Sequence, residues 1–446
     1  MSIGQIGDVK KLTSLWLFLL LCCVLTVPVF AQTQSDNPRV EYQVKRGDTL
    51  IALATKYFRK PSDYRIVQRL NRIRDPHRIP VGKKLTIPFH ILKYRKSQAS
   101  LSAFRGNVSI ASMGKTLAPV KGLDLDEGSQ LLTAAGSFLT IELEDGSRVS
   151  MPSNSKVRIT RLRHILLTDS VDYELAVDRG RLRSKVTPFG NKPGRYKVRT
   201  PVSVSAVRGT DYRTRVDDNA GIAFSETVEG AIDVAAGNKN ITVPQGKGAR
   251  ANDAGETITA NLLSAPELID PAKVQSDESL SFNLAANALA TGHRILISSD
   301  AGFVDIVAEK KQNASQIELA SIPNGRYFAK ASAFSREGFE GMPSTYSFKR
   351  LLNTVSGSAA QGDFGYKFKW TGAGSGKRLF RFQLLKDSKT AVAMVDETDL
   401  TVDSITLSDL PDGEYYWRVG VTQFTNDVEL GVSQKWTEFE KLTVAS

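Results

Sequence analysis

Cysteine is almost missing from this sequence of 446 residues: the two present, Cys22 and Cys23, adjoin inside an apolar run from Leu12 to Val29. Beyond that run there is none, which excludes disulfide stapling, thiolate nucleophiles and thiolate metal centres from the rest of the chain. Histidine is scarce as well. His77, His90, His164 and His293 stand apart, with no second His or carboxylate at metal-ligand spacing. No Gly-x-Ser-x-Gly elbow follows a strand-like run. The stretch TGAGSGKR, Thr371 to Arg378, resembles a phosphate loop only superficially. Its glycines are one residue too close, Arg378 stands where Ser or Thr belongs, and no helical pattern follows. The reading is a non-enzyme with no cofactor and no metal. A carboxylate pair stays open, because all-β folds bring distant strands together.

Long apolar runs are also lacking after Val29. Lys10 and Lys11 precede the single run, which ends in VPVFAQ. Val29 and Ala31 fit a signal-peptidase site cutting before Gln32, so residues 1–31 read as a signal peptide. A retained anchor is the alternative, since about 18 residues is near the spanning minimum. Pro28 and the Val-Phe-Ala tripeptide favour cleavage. Leu19-Leu20-Leu21 lacks the small residue that lipoprotein processing needs before a cysteine. The expected location is the periplasm or cell envelope, with no transmembrane segment after cleavage. Residues 32–446 suffice for three or four domains.

Charge is unevenly placed. From Arg39 to Lys96 there are 16 Lys and Arg against Glu41, Asp48, Asp63 and Asp75, a surplus equal to the +12 of the whole chain. Such a patch implies a polyanionic partner or surface. Nucleic acid is not expected, because no aromatic stacking platform or recognition-helix pattern accompanies the charge.

Val40 to Phe89 reads as strand, helix, helix, strand. VEYQV alternates and stops at Gly47; Asp48 or Thr49 can cap a first helix whose apolar residues are Leu50, Leu53, Ala54 and Tyr57. Pro61 and Ser62 restart the chain, Ile66, Val67 and Leu70 stripe a second helix, and Asn71 is its terminator. KKLTIP closes the unit as a strand. So small a core is marginal on burial alone.

The pattern YQVKRGDTLIALATKYF…IVQRLNRIRDPHRIPVGKKLTIP resembles a LysM domain from end to end. The matching residues are Tyr42, Val44, Gly47-Asp48-Thr49-Leu50, Ala54, Leu70-Asn71, Asp75-Pro76, Ile79, Gly82, Leu85 and Ile87-Pro88. The resemblance implies a βααβ fold over residues 40–90 that binds N-acetylglucosamine-containing glycan, usually peptidoglycan in bacteria. It implies a groove between the loop Gly47 to Leu50 and the loop Asn71 to Ile79. The candidate glycan-binding residues are therefore Gly47, Asp48, Thr49, Leu50, Asn71, Ile73, Asp75, Pro76 and Ile79. Chemically, a glycine at a helix mouth bares backbone groups for acetamides, and Leu50, Ile73 and Ile79 could lie beneath sugar faces. The competing reading makes Asp48 a cap and Leu50 and Leu70 core. Arg65, Arg69, Arg72, Arg74 and Arg78 crowd the proposed groove and could pair with stem-peptide carboxylates.

His90 to Ser100 reads as a basic linker. Residues 100–262 then show β signals only, with a hairpin at Asp145-Gly146, a pivot at Arg179-Gly180 and strands meeting near Gly209. A β-sandwich or β-helix-like roll is expected. Asp145-Gly146-Ser147, Asp178-Arg179-Gly180, Thr200-Pro201, Val207-Arg208-Gly209-Thr210-Asp211, Glu229-Gly230 and Gln245-Gly246 resemble the FecR domain. That family implies a periplasmic β-module of transmembrane regulators that signal to a sigma factor. Eleven residues ahead of the apolar run imply that the signalling role does not transfer here. The glycines are read as turns needing positive φ, and Arg208 with Asp211 as an ion pair.

The segments LASIPNGRYFAKASAF and LSDLPDGEYYWRVGV align with Pro323 on Pro411, an offset of 88 residues. That length is one β-sandwich, so residues 266–350 and 355–446 are two sandwiches, both resembling fibronectin type III domains. Tyr327 and Tyr415 are candidate corner tyrosines; Trp370, Trp417 and Trp436 are read as core. Pro266, Pro271 and NTVSGSAAQG serve as linkers. The whole is expected to be multidomain and mainly β: an exported, non-catalytic envelope protein that binds peptidoglycan and presents β domains to envelope proteins or gives reach. The alternatives are a periplasmic sensor and a cell-wall-cleaving enzyme.

Overall fold

The computed structural model describes residues 38–190, 192–217, 221–271, 273–427 and 430–445, so the expected signal peptide lies outside them. Among the described residues no helix is long and apolar enough to cross a membrane. The fold is mainly β, and among the described residues its helices all lie between Leu50 and Ile91.

Strand β1 (Arg39–Gln43) pairs antiparallel with β2 (Lys84–Pro88), Tyr42 opposite Leu85. Between them run α1 (Leu50–Tyr57), a 3-10 turn at Pro61–Asp63, and α2 (Tyr64–Leu70). Thr49, not Asp48, caps α1, its Oγ1 accepting the Ala52 N–H at 3.1 Å. Asp48 braces the preceding turn, accepting from Tyr42 Oη and the Lys45 N–H, both at 2.8 Å. Period-2 alternation in β1 and the helical stripe of α1 put Val40, Tyr42, Leu50, Leu53 and Ala54 in one core.

That core does not end with β2. It continues through Phe89, Ile91 and Leu92 and takes in Ile165 and Leu167 from a hairpin more than seventy residues on. Strand β3 (Tyr94–Lys96) pairs antiparallel with the strand Lys156–Ile165. Arg163 and Arg59 flank the Tyr94 ring, and Arg195 lies 4.1 Å from the centre of the Phe89 ring. The basic segment expected as a linker is therefore a structured joint. Each borrowed aliphatic side chain adds about 1.5–3 kcal/mol of burial, which a unit this small needs.

Strands from β3 to Thr257–Asn261 close into one flattened barrel with two faces. The faces share the 16-residue strand Ser170–Lys185. Its first half pairs with Lys156–Ile165 and, in parallel, with Arg195–Arg199; its second half pairs with Arg148–Met151 and Asp211–Asp217. The bend falls at Gly180, where φ is +79° and a Cβ would stand 2.4 Å from the Asn154 carbonyl oxygen, so only glycine fits. Leu131, Ile141, Ile159, Leu175 and Tyr196 fill the interior. Asp211 pairs with Arg183, at 2.9 and 2.6 Å, rather than with Arg208 as expected. Arg208 lies just outside the strand Val204–Val207, while Arg183 and Asp211 occupy neighbouring strands.

Two sandwiches follow. The first faces Leu268–Ile269, Leu280–Leu284 and Gln316–Leu319 with Gly292–Ser298, Ile306–Gln312, Gly325–Phe334 and Ser344–Arg350. The second repeats the plan. Tyr327 Oη donates to the Pro323 carbonyl at 3.0 Å and Tyr415 Oη to the Pro411 carbonyl at 2.7 Å, so both tyrosines tie their corners as expected. Trp370 and Trp417 are core, whereas Trp436 is half-buried on an outer face under Arg418. The linker expected at NTVSGSAAQG is instead the first strand of the second sandwich, Ser356–Gly362. Its small residues alternate along an edge strand whose inner positions close on Trp417, leaving room only for Gly357.

Candidate functional site

The two loops singled out in the sequence meet. The Leu50 N–H, at the mouth of α1, donates to the Pro76 carbonyl at 2.9 Å and joins them directly. Gly47 holds φ at +89° and is exposed, with open space where a side chain would point. Among the described residues, none accepts a hydrogen bond from the backbone N–H of Gly47 or Thr49. Two bare donors thus stand in the loop that enters α1, at Gly47 and at the cap residue Thr49.

The other candidates serve mainly to hold the loops. Leu50 is fully buried, so its side chain belongs to the core and only its backbone reaches the mouth. Ile73 and Ile79 are 8% and 9% exposed, anchoring the second loop rather than lying open beneath it. Asn71 clamps the end of α2 to β2: its amide donates to the Val67 and Thr86 carbonyls and accepts the Thr86 N–H at 2.7 Å. Asp75 accepts the His77 N–H at 2.9 Å and shapes the turn before Pro76. A residue that periodicity did not mark out, Gln68, donates from α2 to the Ile73 and Arg74 carbonyls. Its place two residues before the helix end is the signal that could have found it.

A cationic rim borders this mouth. Tyr64, Arg65, Gln68, Arg69, Arg72 and Ile73 line an open depression along α2. Arg65 lies over the Tyr64 ring, and Arg72 takes φ +53° as the chain leaves the helix. No acidic side chain is among the residues lining it.

A second cleft, of about 310 Å³, lies on the barrel beside β3, between Glu144, Asp145, His164, Asp169, Tyr173 and Lys192. Two adjacent carboxyls there differ in kind. Hydrogen bonds from Arg95, then Ser97, hold Glu144 down to about 2, while burial pushes Asp145 up. Carboxyls split this way suit hydrolysis. Both, however, are committed to the fold: Arg95 and Ser97 clamp Glu144, and Asp145 accepts from the Ser147 N–H and Oγ. Among the described residues no group of three or more His, Asp or Glu could hold a metal ion.

Residues 42–88 match the LysM domain family and residues 129–233 match the family described as FecR protein. The chain therefore carries a glycan-binding type of module followed by FecR-type β structure. No curated protein matches the chain. Among solved structures it is similar to two of a proposed anti-sigma factor from Parabacteroides distasonis ATCC 8503, at 16% and 18% identity and a TM-score of 0.25. Each match covers 30% of this chain and 59% of the other, so the chain spans little more than half the length of that relative. It is also similar to the FN1–FN3 domains of chicken CNTN1, at 12% identity, covering 56% of this chain and 97% of the other with a TM-score of 0.20.

Proposed function

We propose that this protein binds N-acetylglucosamine-containing glycan, peptidoglycan in a bacterial envelope, at the mouth where Gly47 to Leu50 meets Asn71 to Ile79, and does not cut it. The observation that carries the reading is the pair of bare N–H groups in the loop that enters α1, bordered by the second loop through the Leu50–Pro76 hydrogen bond. Donors of that kind match acetamide carbonyls, and the arginine rim matches stem-peptide carboxylates. Exported placement, with residues 1–31 removed, is part of the same reading. Ordered joints then set the barrel and the sandwiches at a defined angle to the wall, where they present faces to envelope proteins.

Gly47→Asn tests the mouth. Asparagine tolerates positive φ, so the fold is kept while a side chain enters the open space. Sedimentation with purified insoluble peptidoglycan is expected to show binding weakened about tenfold, the loss of roughly one hydrogen bond. Unchanged binding would move the glycan elsewhere. Truncating residues 32–96 is a poorer test, since it removes β3 and uncovers Ile165 and Leu167. Release of soluble fragments during the incubation would favour the cleaving reading instead.

The rim gives a separate expectation. Raising NaCl from about 0.05 to 0.5 M shortens the Debye length from more than 10 Å to under 5 Å, and wall binding is expected to fall several-fold. Arg69→Gln with Arg72→Gln is expected to remove most of that salt dependence. Equal slopes for the two proteins would reduce the arginines to ordinary surface.

The FecR match favours one second reading, in which the barrel receives a protein partner and relays a signal. A neighbouring gene for a sigma factor or membrane sensor, and co-purification of its product, would distinguish it.

A further inference from the structure

The outer face of the barrel carries two alternating arginine stripes. Arg181 and Arg183 on one strand stand opposite Arg215 and Arg213 on the next. On a free sheet such residues would be solvated. Here the first sandwich covers them: its strands Gly292–Ser298 and Gly325–Phe334 bring Arg294 and Lys330, and the loop after Phe334 inserts Phe339 and Glu340. Phe339 is fully buried, edge-on to Phe224 of the barrel at 5.4 Å.

Between the two surfaces lies a cavity of about 60 Å³ in which eight lining residues are Lys or Arg and two are Glu. Acids pair with only some of these cations. Asp211 takes Arg183; Glu309 takes Arg294 at 2.6 Å; Glu340 lies 3.2 Å from both Arg213 and Arg294. Glu226 lies 3.1 Å from Arg213 Nε, which is not aligned to donate to it. Without a close carboxylate are Arg148, Arg181, Arg215 and Lys330, besides the exposed Lys185. The Arg181 guanidinium approaches only Glu309, at 3.7 Å, and the Phe334 ring. Arg215 donates to the Gly338 carbonyl and reaches only the exposed Asp217 carboxylate, at 3.9 Å, while its buried Nε has no partner. Lys330 rests 3.7 Å over the Phe303 ring, with no hydrogen-bond acceptor among the described residues.

We propose that this cavity is a binding site for one small tetrahedral oxyanion, of the phosphate or sulfate class, held between Arg181 and Arg215 of the barrel and Lys330 of the sandwich. Burying a cation short of counter-charge is costly; Lys330 with no ion pair, beside Arg181 and Arg215 whose nearest carboxylates stand at 3.7 and 3.9 Å, points to an anion that supplies it. Guanidinium forks suit the edges of an oxyanion. The volume corresponds to about four to six water-sized spheres at 10–15 Å³ each, enough for phosphate and too little for a nucleotide. Leu296, Phe303 and Ile306 wall the other side and keep the local dielectric low. Burial, then Arg183, lowers the Lys330 ammonium to about 6; burial, then Arg294, lowers Arg181 to about 10. In both cases the nearby carboxylates, Asp211 for Lys330 and Glu340 with Glu309 for Arg181, do not offset burial. Because the ligands come from both domains, the anion bridges them.

Calorimetry and thermal unfolding of the purified protein test this, with inorganic phosphate and sulfate as probes against chloride at matched ionic strength. Phosphate or sulfate is expected to bind with one site per chain and to raise the unfolding temperature saturably. Arg181→Met and Lys330→Met each delete an incompletely neutralised cation, so both proteins should fold about as well in chloride. Each is expected to weaken the oxyanion at least about tenfold, the worth of a charge-assisted hydrogen bond. No saturable effect beyond chloride overturns the proposal, as does equal binding by both variants. Saturable binding of acetate without phosphate or sulfate overturns the tetrahedral assignment.

Discussion

Glu340→Gln is expected to destabilise the barrel–sandwich unit by about 3–5 kcal/mol, the cost of stripping the counter-charge from buried cations. Glu340 is 5% exposed and central: its carboxylate lies 3.2 Å from Arg213 and Arg294 and accepts from Ser332 Oγ at 2.7 Å. Its own N–H donates to Glu226 at 2.7 Å, and Arg213 donates to the Gly341 carbonyl beside it. Glutamine keeps the shape and removes the charge, so the loss reads the electrostatic part. The midpoint of the corresponding thermal transition should fall by roughly 6–20 °C at about 2–4 °C per kcal/mol. A loss below about 1 kcal/mol would mean that the arginines find other partners.

The pH dependence follows in sign. Burial works to raise the Glu340 carboxyl, but Arg294 and Arg213 overcome it and hold the group well below its ordinary 4.5. The unfolded chain therefore takes up the proton first as pH falls. The contribution of Glu340 is complete above about 4.5 and is lost below it. Glu226, raised by burial, works in the opposite sense. The stability difference between wild type and Glu340→Gln should be constant near neutrality and shrink on acidification below pH 4.5. A difference that grows toward acid would reverse the assignment.

Ile165→Asp is expected to cost a further 3–5 kcal/mol, at the other joint. Ile165 is 2% exposed in the core shared by the N-terminal module and the barrel. The substitution removes an aliphatic chain from a packed site and puts a carboxylate in apolar surroundings, each worth several kcal/mol. Because the module's core is small, the loss should release it locally. Limited proteolysis is expected to cut between Lys93 and Lys96, where the wild type is protected by pairing with Arg163 to Ile165. The second sandwich, with its own core around Phe368, Trp370, Phe382 and Trp417, should melt unchanged. Unaltered protection at Lys93 to Lys96 would show that β-pairing alone fixes the module.

Much of this was legible because the signals were local. Thr49 lies next to the helix it caps and Asp48 in the turn it braces, and the 88-residue offset brought two tyrosines to matching corners. The glycine pivot at Gly180 could be read from its place between two alternating runs. The joints were less legible. A run of Lys and Arg from His90 onward looks like a tether, yet its Phe89, Ile91, Leu92 and Tyr94 find partners that only the fold brings near. In the candidate site, Leu50 was open to two readings; burial assigns its side chain to the core and leaves its amide at the mouth.

By itself the sequence determined the series of elements: a βααβ unit, a long β series and two repeated sandwiches, since alternation, turn glycines and caps act within a few residues. It also determined where the positive charge concentrates. Only the tertiary structure decided which polar residues meet water. The Arg181–Arg183 and Arg213–Arg215 stripes have the alternation of a solvated face, and nothing within either strand says that a following domain will cover them. Burial is a property of pairs of surfaces, and those surfaces lie from 79 residues (Arg215 to Arg294) to 159 residues (Arg181 to Glu340) apart along the chain.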